Sequence, residues 1–375
     1  MAAIASSNNT NTSFLISDSE SDFIASSCRV GCRLDGRSCT EFRPYQILVQ
    51  DPHPLSHGSA RMVGSVGHAS HEQVHLTCSV KAELVRPSPK RPHQGLCELF
   101  LTHGGTFLPN NTHRHMKRTL EQTQGILTNL LADRIVDTYA LCLVPHECVW
   151  KLSIDVLVLE AAGGALMDCA ARLMAATLQA TKLPHVVMTP NDNTTKSTES
   201  SANSKTNSNH TIVVDGDVAK AHAIPLAGTV RVVTLAILQD IDLATQRPLY
   251  SIVADPHLAE ETCALALVHV CIHSAPMATG RAADDTDQQQ QQQHNSIVGL
   301  HKTQPGALPL SLLPEITATA LQVVEDADAA FVTQRDDSED LSTTTNTPKT
   351  TMPEQHFSNA STILSEQFQW LVVED

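Results

Sequence analysis

Aromatic residues make up only 3% of this 375-residue chain. Its core must therefore be built from aliphatic side chains and alanine, which the 41% hydrophobic content can supply. Long apolar runs are missing too: no stretch approaches the roughly 20 residues that a membrane helix needs, so no membrane partner is expected. The opening MAAIASSNNTNTS lacks the basic and apolar regions of a secretory signal, and an intracellular protein is expected. None of the ten cysteines forms a Cys-x-x-Cys pair, which fits reduced thiols in cytosol or nucleus. Positive charge is also short. The net charge is −15, and residues 231–375 hold 20 acids against 6 bases, whereas residues 1–230 are nearly balanced at 20 and 19. A chain this acidic is a poor stand-alone nucleic-acid binder, because phosphate contacts dominate that affinity. Any RNA contact has to come from local clusters in the first half.

What the sequence does contain centres on Val149 to Pro184. Leu152, Ile154, Val156 and Val158 alternate with Leu157 and Leu159, a pattern apolar on nearly both faces that predicts a buried strand from Trp150 to Glu160. Ala-Ala-Gly-Gly breaks it, since glycine tolerates the angles of a tight strand-to-helix turn. From Ala165 the period lengthens, and Leu166, Ala170, Leu173, Thr177 and Leu178 share one helical face. Such a turn can hold a phosphate on helix N-terminal amides, or it can simply pack. On residues alone both readings stay open.

Ahead of this unit, residues 1–27, rich in Ser and Asn with acids at Asp18–Asp22, predict a disordered tail. Arg33-Leu-Asp-Gly-Arg37 follows as a basic loop. Strands are expected at Gln46–Gln50, Ser59–Gly64, Gln73–Glu83 and Cys97–Leu101. His71-Glu72-x-x-His75 matches the zinc-protease pattern, but that chemistry needs a helix to bring both histidines onto one ion. In a strand the two lie about 13 Å apart, and the metalloprotease alternative is set aside with no metal expected. Lys81, Arg86, Lys90 and Arg91 form a basic, proline-punctuated segment. A helix from Thr119 to near Asp137 follows Arg114, Lys117 and Arg118. In the second half, strands are expected at Val213–Val214, Val230–Leu238 and Tyr250–Val253. A helix then runs from Asp255 through Leu265, Leu267 and Val268, and a last one spans Leu308 to Phe331. Polar and poly-Gln inserts occupy 189–210 and 281–296, and 332–375 reads as an acidic, mostly disordered tail.

Three segments in order, CRLDGRSCTEFRP, WKLSIDVLVLEAAGGALMDCAARLMAATLQATKLP and ADPHLAEE, resemble the RNase PH family, on the side of its non-catalytic exosome ring subunits. The resemblance spans about residues 28–331. It implies an α+β, RNase PH-like fold (ribosomal protein S5 domain 2-like), with two βαβ-type halves of mixed sheets and packed helices. It also implies a structural role in a six-member ring of RNase PH-like exosome subunits, with S1/KH cap subunits and an associated hydrolytic nuclease. RNA threading through that ring for 3′-to-5′ processing, in nucleus, nucleolus and cytoplasm, belongs to the same expectation. Active relatives grip phosphate with a Gly-Thr-Arg-Thr-like turn, where this chain has Gly163-Gly-Ala-Leu-Met167. They carry arginines where Gln124, Thr128 and Leu131 stand here, and two aspartates six apart where Asp255 and Glu261 stand. No catalytic residue and no cofactor is therefore expected. RNA contacts are assigned to Arg33, Arg37, Arg61, Lys81, Arg86 and Lys90, and to Arg91, Arg114, Lys117 and Arg118. The alternative is an active phosphate-dependent 3′–5′ exoribonuclease.

Overall fold

A computed structural model of the protein describes residues 16–50, 55–65, 73–104, 110–161, 165–190, 210–242, 244–274 and 295–335. The first half is built on two long strands. β1 (Tyr45–Gln50), β2 (Gly58–Ser65), β3 (Gln73–Val85), β4 (Leu96–His103), β5 (Cys142–Val144) and β6 (Cys148–Ala161) belong to one mixed sheet, joined at its edge by a strand from the far end of the chain. β3 and β6 pair antiparallel along almost their whole length, from Val74↔Ala161 to Val85↔Val149. Leu76, Cys78 and Val80 face inward from β3, and Leu152, Ile154, Val156 and Val158 from β6. Their alternation puts all seven side chains on the covered face, so burial stabilises one register and a slip would expose the whole set. Gly64 sits where a Cβ would fall 2.3 Å from Tyr45 Cδ1, so a residue without a side chain lets β1 and β2 close over that ring.

The expected helix after β6 is present. Before it, α1 (Asp18–Arg29) and α2 (Asn110–Leu130) have formed; α3 runs from Leu166 to Ala180. It packs on β1, β2, β3 and β6 and also on a strand of the second sheet, and ten of its fifteen residues are buried. A helix covered on most sides needs small residues, and Cys169, Ala170 and Ala171 supply them. Short ribbons follow: β7 (Lys182–Leu183) with β10 (His222–Ala223), and β8 (Val186–Pro190) with β9 (His210–Val214). The second sheet orders β12 (Pro248–Ala254), β11 (Thr229–Ile241), β13 (Ala266–Ser274) and β14 (Asn295–Thr303), all antiparallel. α4 (Leu258–Cys263) links β12 to β13, and α5 (Leu313–Ala330) leads into β15 (Phe331–Arg335), which lies parallel to β1.

Several expectations are corrected. Residues 18–27 are not tail but most of α1, capped by Ser17 Oγ accepting from the Glu20 amide. Ile24, Ala25 and Cys28 fall on one face and bury against Ala236, Leu238 and Val253, a stripe too short to stand out in a Ser/Asp-rich segment. The helix expected through Leu267 and Val268 stops at Cys263, because Ala266–Ser274 is buried on both faces and belongs inside a sheet. Residues 332–335 extend β15 rather than opening a tail. α2 begins nine residues before Thr119 and ends in a π-turn, Leu131–Ile135. Gln73–His75 lies in β3 as expected, with His71 and Glu72 outside the described residues. The bulk of both inserts and the chain beyond Arg335 also lie outside them.

Candidate functional site

The Arg33–Arg37 loop folds back on itself at Gly36, whose φ of +81° is one that residues with a side chain rarely adopt. Asp35 accepts from both the amide and Nε of Arg37, which fixes the turn. The fold turns Arg33 inward. Its Nε and Nη2 donate to the two carboxylate oxygens of Glu260 at 2.9 and 2.6 Å, and Nη1 and Nη2 donate to the carbonyls of Ala254 and Asp255. Its side chain is 0% exposed. Burial works against this charge, but Glu260 more than offsets it and the guanidinium is held above its ordinary range. Glu260 also accepts the His257 amide, closing a capping box at the start of α4.

Asp255 sits beside this pair, in the left-handed region at φ +46°. Its Oδ2 accepts from the amide and Nε of Arg43 and from Nη1 of Arg37, all at 2.8 Å. Oδ1 accepts Arg43 Nη2 at 2.5 Å and the Tyr45 hydroxyl at 3.3 Å. Burial alone would push the acid's pKa up, yet Arg43 and then Arg37 bring it below the usual carboxylate range. The carboxylate is saturated with donors and has no lone pair to spare for a cation.

Glu261 closes the third side. Ala165, at the entrance to α3 with φ +49°, donates its amide to Glu261 Oε1 at 2.7 Å. This is where a helix N-terminus would take an anion, and the chain's own carboxylate occupies it. Burial pushes Glu261 up to about 7, with the Ala165 bond pulling the other way. Three positions into α3, Asp168 is buried and accepts from the amide and hydroxyl of Thr234. Burial likewise raises it to about 7. That hydroxyl meets His269 Nδ1 at 2.8 Å, and His269 Nε2 meets Thr303 at 3.0 Å. A polar thread thus runs from α3 across the second sheet.

The residues expected to meet RNA are not gathered in one place. Arg33 is sealed inside, and Arg37, 10% exposed, is spent on Asp35 and Asp255; assigning RNA contact to Arg33 is corrected. Arg61 donates to His75, and Lys81 pairs with Glu83. Arg86, Lys90 and Arg91 are exposed in the connection after β3, at the end of the sheet where β6 begins. Lys117 and Arg118 are exposed on a different element, α2, which packs on β4. Arg114 lies in α2, with its side chain outside the described residues. Of the three positions compared with arginines, Gln124 accepts the Leu101 amide, Leu131 is core, and only Thr128 faces outward. Among the described residues no group of three or more His, Cys, Asp or Glu could hold a metal. Glu260 and Arg43 were missed as members of the site. A capping box flags Glu260 only weakly, and a buried arginine reads in sequence like a solvated one.

No family model matches the chain. One chain of the Archaeoglobus fulgidus exosome with RNA bound to the active site superposes with a TM-score of 0.54, at 17% identity, covering 83% of this chain and 97% of that one. The fold is that of the RNase PH-like exosome subunits. In sequence the chain is 30% identical over 188 residues to exosome complex component Rrp42 of Sulfurisphaera tokodaii, covering 49% of this chain and 62% of that protein. It is 28% identical over 161 residues to exosome complex component RRP45A of Arabidopsis thaliana, covering 43% and 48%. The chain spans about half the length of the curated relatives it matches.

Proposed function

We propose that this protein is a non-catalytic structural subunit of an exosome ring, supporting 3′-to-5′ RNA processing and degradation by scaffolding and RNA threading. The observation that carries this reading is the pair of carboxylates six apart. Asp255 is saturated by Arg37, Arg43 and Tyr45, and Glu261 takes the amide of Ala165, the residue just before α3. Asp255 is thus taken up by its own donors, and one oxygen of Glu261 is spent on the backbone just ahead of α3. Supporting this, the exosome components Rrp42 and RRP45A are its sequence relatives. Phe100, Leu157 and Leu159 lie exposed together on the uncovered face of the first sheet, a surface suited to neighbouring subunits. The partners proposed are other RNase PH-like subunits, S1/KH cap subunits, a hydrolytic nuclease and RNA, in nucleus, nucleolus and cytoplasm. Purified chain incubated with RNA, Mg²⁺ and phosphate is expected to release no nucleoside diphosphate. Release that vanishes in Asp255→Ala would overturn the reading in favour of phosphate-dependent trimming. Tagged chain taken from its own cells is expected to bring RNase PH-like subunits with it.

A further inference from the structure

Two turns along α3 from Ala165, about 10 Å down the helix axis, a second ionic cluster has a different balance. Arg172 on α3 and Arg231 on β11 both donate from Nη1 to one carboxylate, Asp328 on α5. The arginine side chains are 9% and 8% exposed, whereas Asp328 is 41% exposed. Arg231 Nη2 also donates to Ser274 Oγ and, at 3.3 Å, to Asn295 Oδ1. Its Nε is buried without a hydrogen-bond partner, and so are both Nε and Nη2 of Arg172. Arg172 Cζ lies over the Phe331 ring, 4.5 Å from its centre, a contact that satisfies none of the N–H bonds.

Two guanidinium groups therefore share the one carboxylate they bond, with buried Asp168 near enough to Arg172 to feel its charge, and among the described residues nothing accepts from three of their nitrogens, which are out of water. Leaving a charged donor buried and unmet forfeits its hydration without return, so such a group in a native protein calls for a missing acceptor. The edge left open on Arg172, Nε with Nη2, is the fork with which arginine takes a carboxylate or phosphate in two parallel bonds. We propose that Arg172 and Arg231 form a binding site for a small oxyanion of the phosphate or sulfate class, at the junction of α3, β11 and α5. The anion adds negative charge to the pair and accepts from the unpaired edge of Arg172. Asp328, the most exposed member, marks the way in from solvent and competes for the same guanidinium groups. The site is separate from the start of α3, where Glu261 already fills the anion position, and it does not depend on the ring role.

The test is thermal unfolding of the full chain in chloride at constant ionic strength, with inorganic phosphate or sulfate replacing part of the chloride. A ligand that binds only the folded state raises Tm with concentration. Wild type is expected to rise with both oxyanions, and Asp328→Asn, which removes the competing carboxylate, is expected to rise further. Arg172→Met is expected to lose the response. Should that variant not fold, Arg172→Lys keeps the charge without the fork and is expected to need at least tenfold more phosphate for the same rise. A wild-type Tm indifferent to phosphate and sulfate would overturn the proposal, as would an undiminished response in the Arg172 variants.

Discussion

Arg33 and Glu260, 227 positions apart in the chain, meet in a two-bonded ion pair with almost no exposure to water. Removing one partner leaves the other charge buried and unmatched, which costs about 3–5 kcal/mol. Arg33→Met is therefore expected to lose at least ~3 kcal/mol in urea unfolding, whereas Lys117→Ala, on the surface, should stay within ~0.5 kcal/mol. Equal losses in the two variants would show that the pair adds nothing beyond a surface contact. Asp168 carries a pH prediction. Its folded pKa of about 7 lies above the ordinary 3.8, because burial favours the neutral acid. The stability it contributes is complete below pH 4 and is lost as pH rises through 7. His269 works from the other side: burial and then His301 lower it from 6.5 to about 4, so its contribution is present above pH 6.5 and fades toward pH 4. Asp168→Asn removes the first effect alone. The variant is expected to lose on the order of 2–4 kcal/mol less than wild type between pH 5 and pH 8. Parallel stability curves for the two proteins would refute the assignment.

At the scale of elements, α1 is held to β11, β12 and α4 by Ile24, Ala25 and Cys28 and by one surface pair, Arg29–Asp240. Ile24→Ala, which empties a site only 1% exposed, is expected to cost about 2–4 kcal/mol. Hydrogen exchange should quicken across residues 18–29 while β3 and β6 stay protected. Equal loosening of β6 would mean that α1 belongs to the cooperative core. This helix also shows where sequence reading reaches its limit. The β6–α3 unit was legible because its periodicity runs through some 30 residues and is enforced by burial of the inward face of β6 and of most of α3, although the outer face of β6, apolar in sequence, is exposed at Leu157 and Leu159. In α1 only three residues are buried, too few to rise above a Ser/Asp background. Ala266–Ser274 has the same weakness for a different reason: a short run that is apolar all round suits a buried helix or a buried strand, and only its pairing with β11 and β14 decides. For the site, the motif positions Arg33, Arg37, Asp255 and Glu261 were visible, but their partners were not. A loop arginine beside Gly36 reads as solvated until the fold brings Glu260 to it.

For the whole molecule, the distribution of charge decides how RNA could run past it. The acidic second half offers phosphate little, and the RLDGR arginines are consumed internally. Of the residues expected to meet RNA, two exposed groups remain, Lys117 and Arg118 on α2, and Arg86, Lys90 and Arg91 beyond β3, besides Arg61 and Lys81 on the sheet. Lys117 has only a loose pairing with Glu121, at 3.9 Å, so little holds it back from a phosphate. It and Arg118 stand on a helix, a rigid support that suits a fixed RNA path better than a loop does. Reversing both charges, Lys117→Glu with Arg118→Glu, is expected to weaken RNA binding by the assembled complex. For every phosphate no longer neutralised, the slope of log K against log salt should also flatten by ~0.7. Assembly should survive, because exposed charges on that helix add little to folding. The same reversal at Arg86, Lys90 and Arg91 is the control for position. Failure of the α2 variant to assemble, with RNA binding unchanged in whatever complex remains, would place the α2 pair in a subunit interface and remove it from the RNA path.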